Sequence, residues 1–119
     1  DWINSSQEDL AAMQNALINK DFQQVGEIAE FSCFKMHGLA LSARPAILYW
    51  NDLTVKLIHE VQAMRKKGIP AYVTIDAGPQ IKILCSPGYS DSIKTDLENI
   101  KGIKRILKTS IGQGARVLE

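Results

Sequence analysis

Ala71-Tyr72-Val73-Thr74-Ile75-Asp76-Ala77-Gly78-Pro79-Gln80-Ile81-Lys82-Ile83-Leu84-Cys85 decides the fold, because it reads as two short strands joined by a turn. Ala71, Val73 and Ile75 alternate with Tyr72, Thr74 and Asp76, the period of two of a strand that buries one face. Ile81, Ile83 and Cys85 repeat the pattern after the interruption. Gly78 tolerates a positive backbone angle and Pro79 lacks an amide donor, so Ala77-Gly78-Pro79 is expected to turn. Asp76, the only carboxylate in the stretch, falls at a strand end, facing opposite to Val73 and Ile75. From its chemistry alone it is either a turn residue whose carboxylate satisfies nearby amides or a held base in a cleft.

Upstream, the chain reads as helices. Ser5-Ser6-Gln7-Glu8-Asp9 offers a cap and an acidic first turn, with Leu10, Met13 and Leu17 at helical spacing and an end near Lys20. Asp21 is the expected cap of a second helix that reaches Leu41 despite Gly38, its inward stripe being Val25, Ile28, Ala29, Ser32 and Met36. Ala43 to Asn51 is a connection whose Tyr49 and Trp50 are expected to pack over the core. Asn51 or Asp52 caps a third helix with Leu53, Leu57, Ile58, Val61 and Met64 inward, stopping at Gly68. Arg65-Lys66-Lys67 complements that helix's dipole.

Downstream, Ser90-Asp91 begins a helix with Ile93, Leu97 and Ile100 inward, ending at Gly102. Ile103 to Thr109 is expected to form a strand, and Ser110 to Leu118 a further one, with a bulge or turn at Gly112-Gln113-Gly114. That glycine pair resembles a fragment of a phosphate-binding loop, but few residues remain for the helix such loops require. The whole is an α+β sandwich, helices packed on one face of a mostly antiparallel sheet.

At 119 residues the chain has room for a single modest core, and 45% hydrophobic with 23% charged residues is ordinary for a globular protein. A net charge of +1 provides no field for nucleic acid or an anionic membrane. Cys33 and Cys85 form no CxxC pair and there is no cluster of histidines, so neither a disulfide framework nor a metal site is expected, and a reducing, cytoplasmic setting fits. No apolar run approaches the roughly 18 residues that span a bilayer. The chain opens at Asp1-Trp2 without an initiator Met, as expected of a piece of a longer protein.

The run Thr74-Ile75-Asp76-Ala77-Gly78-Pro79, with Met36-His37 upstream and Ala46-Ile47-Leu48-Tyr49-Trp50 between, resembles the carboxy-terminal half of diphosphomevalonate decarboxylases of the GHMP kinase superfamily. The resemblance covers nearly the whole chain and implies one GHMP kinase carboxy-terminal domain over residues 1–119, the ATP-binding first domain lying elsewhere. It implies ATP-dependent conversion of mevalonate 5-diphosphate into isopentenyl diphosphate. Asp76 matches the family's catalytic carboxylate, the amides of Ala77 and Gly78 fall beside the substrate, and Met36-His37 matches a recurring pair near the substrate-facing side, which makes His37 a substrate-binding candidate with Ala77 and Gly78. His59 is assigned no role. ATP and Mg2+ would be bound mainly by the first domain, which is also the expected partner; a homodimer is compatible with the resemblance. The family commonly has Asn where this chain has Gln80, which puts an amide contact there in question.

Two alternatives stay open. One is a decarboxylase or 3-kinase for another mevalonate derivative; the other is a non-enzymatic ligand-binding module in which Asp76 only caps its turn. The enzyme requires Asp76, Ala77 and Gly78 on an open face with His37 nearby. The module allows a capped, buried Asp76.

Overall fold

The computed structural model describes residues 2–117. The hairpin forms where the alternation puts it: β1 (Ala71–Ile75) and β2 (Ile81–Cys85) pair antiparallel, from Ala71 opposite Cys85 to Ile75 opposite Ile81. Three helices precede it, α1 (Trp2–Ile18), α2 (Phe22–Ser42) and α3 (Asp52–Lys66), and α4 (Ser90–Glu98) follows a 3-10 turn at Pro87–Tyr89. Leu57, Ile58, Val61 and Met64 of α3 meet Val73, Ile75, Ile93 and Leu97 in the core. The expected α+β class holds, with helices on a two-stranded antiparallel sheet.

Local chemistry sets the helix ends. Asp21 caps α2 by accepting the Gln24 amide at 3.0 Å, and Asn51 caps α3 in a reciprocal box with Thr54. Gly68, with φ of +87°, closes α3 in the left-handed region that favours glycine.

The inward stripe of α2 differs from expectation by a step around the helix. Gly26, Glu30, Cys33 and His37 are the buried residues, whereas Met36 is 38% exposed. In an antiparallel strand, alternate residues point their amides and carbonyls away from the partner. Those of β1 point at α2, which lies along the strand's outer edge. The Val73 amide donates to Glu30 Oε2 at 2.8 Å and the Ile75 amide to Cys33 Sγ at 3.1 Å. The Cys33 thiol donates back to the Ile75 carbonyl, and Arg65 Nη1 donates to the Ala71 carbonyl at 2.8 Å. A buried strand edge needs such partners, so α2 turns polar side chains inward where an apolar periodicity is blind to them. Burial pushes the Cys33 thiol pKa up, against its hydrogen bond with Ile75, which favours the protonated form that donates.

Gly26 makes the approach possible. A Cβ there would sit 2.0 Å from Tyr72 Cδ2, and the ring cannot retreat freely. Phe22 holds it edge-on at 5.8 Å and the Arg65 guanidinium covers it at 4.8 Å. Gly26→Ala gains about 1 kcal/mol in helix propensity but overpacks the contact at a cost of roughly 1–3 kcal/mol or more. Net destabilisation is expected, seen as a lower urea midpoint; an unchanged or raised midpoint would refute the contact.

Two further expectations are corrected. Helix α1 begins before Ser5 and buries Ala16 where it packs against α2, while Leu10 and Leu17 are each 59% exposed. Lys35 joins the two through Asp9 at 2.7 Å. No strand follows Cys85 among the described residues: 103–117 is irregular. Ile103 and Ile106 pack on the core at a spacing of three, not two, and Ile111 and Val117 are almost fully exposed, so nothing apolar drives pairing. Gly112-Gln113-Gly114 is exposed irregular chain, neither bulge nor turn; Leu118 lies outside the described residues.

Candidate active site

The hairpin turn projects Asp76 and Ala77 into the open; Gly78 is half-buried. The Asp76 side chain is 84% exposed, with Oδ2 2.6 Å from Lys82 Nζ. Register explains the contact. Lys82 stands opposite Thr74, Asp76 lies two residues beyond Thr74 on the same face, and such diagonal neighbours are within reach of a long side chain. The hydrogen bond from Lys82, and then its charge, hold the Asp76 carboxyl below the usual carboxylate range.

The carboxylate does not cap its own turn. The Gly78 amide donates to the Asp76 backbone carbonyl at 2.8 Å, and among the described residues no amide donates to the side chain. Of the two amides expected beside a substrate, Gly78's is thus engaged and Ala77's is open. Gly78 does not use a positive φ. Its missing side chain instead leaves room for Gln80, whose Oε1 lies 2.6 Å from where a Cβ would be.

The turn is anchored from behind. Thr54 Oγ1, 1% exposed at the start of α3, donates to the Pro79 carbonyl at 2.9 Å. His37, 2% exposed, places Nε2 3.0 Å from the Ile75 carbonyl, one residue before Asp76. Trp50 and Tyr49 enclose the imidazole at centroid distances of 4.8 and 5.8 Å, and Phe34 meets Trp50 edge-on at 5.8 Å, so the aromatic pair packs as expected. His37, Asp76, Ala77 and Gly78 are therefore brought to one end of the hairpin, His37 from inside. Lys82 and Thr54 are not among the site residues expected from the sequence; pairing the two alternating runs as a hairpin is the signal that places Lys82 near Asp76.

The described residues contain no group of three or more His, Cys, Asp or Glu able to hold a metal ion, and Gly112-Gln113-Gly114 leads into no helix. No helix among the described residues is long and apolar enough to cross a membrane.

Helices packed on an antiparallel hairpin make an α+β domain, and its structural neighbours are GHMP-type mevalonate diphosphate decarboxylases. The solved structure of the mevalonate diphosphate decarboxylase from Enterococcus faecalis matches with a TM-score of 0.79 at 36% identity, over 85% of this chain and 32% of that one. The structure of MDDEF in complex with MVAPP, AMPPCP and magnesium matches at 0.80 and 36%, over 85% and 31%. Residues 4–97 match the family model of the mevalonate 5-diphosphate decarboxylase C-terminal domain, and the chain belongs to that family. The diphosphomevalonate decarboxylase of Candida albicans is 28% identical over 87% of this chain and 33% of its own length. The chain thus spans about a third of the length of these relatives.

Proposed function

We propose that residues 1–119 are one GHMP-type carboxy-terminal domain of a two-domain, ATP-dependent enzyme that decarboxylates mevalonate 5-diphosphate to isopentenyl diphosphate, with Asp76 as its catalytic carboxylate. Family membership over residues 4–97 carries the reading. The open, ionised Asp76 beside Lys82 supports its assignment to the chemistry.

A tertiary alcohol is a crowded, weak nucleophile. A carboxylate within hydrogen-bond reach orients it and accepts its proton as the hydroxyl is phosphorylated, after which loss of phosphate and carbon dioxide leaves the alkene. Asp76 Oδ1 is the atom open to that hydroxyl, since Oδ2 is taken by Lys82. The Ala77 amide stands on the same open turn as a donor toward a substrate oxygen. His37, enclosed, contributes by fixing the Ile75 carbonyl and so the strand end that aims Asp76. ATP supplies the phosphoryl group, and with Mg2+ it belongs to the first domain; no residue of this chain is assigned to either.

Product formation by the intact protein, with mevalonate 5-diphosphate or the 5-phosphate offered beside ATP, tests the reading. Isopentenyl diphosphate from the diphosphate is expected. Turnover of the monophosphate alone would select a decarboxylase for another mevalonate derivative, and turnover of neither would remove the enzyme reading. The 119 residues by themselves, with folding checked by circular dichroism, are expected to show no ATP turnover; detectable turnover would mean that the nucleotide site lies within them.

A further inference from the structure

Within the decarboxylase reading, on which this inference rests, we propose that Lys82 is the positioning residue of the site: it fixes the orientation of the Asp76 carboxylate and keeps it a base. Asp76 sits on an exposed turn where little else restrains it. The turn's own amide bond closes Gly78 onto the Asp76 carbonyl, not onto the side chain, and Lys82 Nζ at 2.6 Å is the polar partner of the carboxylate. The contact is built into the sheet, because the pairing of Thr74 with Lys82 puts Lys82 and Asp76 on one face as diagonal neighbours. Lys82 holds Oδ2 and leaves Oδ1 to take the proton of the substrate hydroxyl. The O–H bond breaks, the Oδ1–H bond forms, and the ammonium stays protonated throughout.

Charged and titratable groups reach Asp76 from two elements. Lys82 of β2 acts most strongly, and His37 of α2 adds a smaller pull in the same direction. Cys33 of α2 also feels the Asp76 charge. Helix α3 brings the uncharged Thr54 to the same turn. Exposed ion pairs are weak in water, so the effect should appear when the intact protein and its substrate cover the turn and exclude solvent.

The test compares wild type, Lys82→Met, Lys82→Arg and Asp76→Asn of the intact protein, each checked for folding, with kcat and KM followed from about pH 5 to pH 9. Removing the cation raises the pKa of the base, so the acid limb of kcat should move to higher pH. At the acid end of the range Lys82→Met should lose a larger share of its own plateau than wild type loses of its plateau, and Lys82→Arg should restore the wild-type limb. If Asp76→Asn is inactive yet the Lys82→Met limb superposes on wild type, or the change is confined to KM, Lys82 does not act through Asp76 and the inference is overturned. If Asp76→Asn keeps full kcat, the catalytic reading of Asp76 itself is lost, and this inference with it.

Discussion

Asp76→Asn in the intact protein is expected to lower isopentenyl diphosphate formation about a hundredfold or more, in the range that general-base catalysis supplies, with little change in stability. Asn keeps the size of Asp and an oxygen for Lys82, but it cannot accept the hydroxyl proton. The loss should therefore fall on kcat, and KM should move little, as for an interaction made in the transition state. Stability should hold because the side chain is 84% exposed and its partner Lys82 is 56% exposed, and exposed ion pairs contribute little. A drop of less than about threefold, with both proteins equally folded, would leave Asp76 a turn residue and bring back the non-enzymatic module.

The largest structural effect is expected at Glu30, far from the open turn. Its carboxylate accepts Arg65 Nη1 and Nη2 at 3.0 and 2.7 Å and the Val73 amide at 2.8 Å. Its side chain is 11% exposed and that of Arg65 30%. Glu30→Ala leaves a half-buried guanidinium without its counter-charge and a buried strand amide without an acceptor, together costing about 3 kcal/mol. Glu30→Gln keeps a neutral acceptor and should cost about half as much. Amide exchange at Val73 reports this locally: protection should fall on the order of a hundredfold in Glu30→Ala and less in Glu30→Gln. Equal loss in the two variants would mean that the charge contributes nothing.

Glu30 also shows where sequence reading stopped. A charged residue between Ala29 and Phe31 is assigned to solvent by any apolar periodicity, and the buried face of α2 lies one step around the helix from the apolar stripe. The structure turns Glu30 inward because the buried outer edge of β1 needs acceptors and donors, a demand made by residues more than 40 positions away. The same limit explains α1, whose Leu10 and Leu17 look inward in a helical projection but are each 59% exposed in the folded chain. It explains the missing strands as well: Ile103, Ile106 and Leu107 have strand-forming side chains, yet a strand exists only where another edge accepts it.

Near the site the balance is different. The hairpin and the place of Asp76 at its strand end follow from a period of two interrupted by Ala-Gly-Pro, and the caps at Asp21 and Asn51 from side chains acting within three residues of themselves. These were legible because the forces involved are local. The union of His37 with Ile75, of Thr54 with Pro79 and of Cys33 with β1 spans 25 to 42 positions and was settled by how α2 and α3 pack against the strand. By itself, then, the sequence determined the helices, the hairpin and the carboxylate at its turn, since neighbours along the chain dictate backbone angles and alternation. The tertiary structure alone decided which polar groups hold that turn in place, because a buried donor or acceptor takes whatever partner the packed chain brings to it.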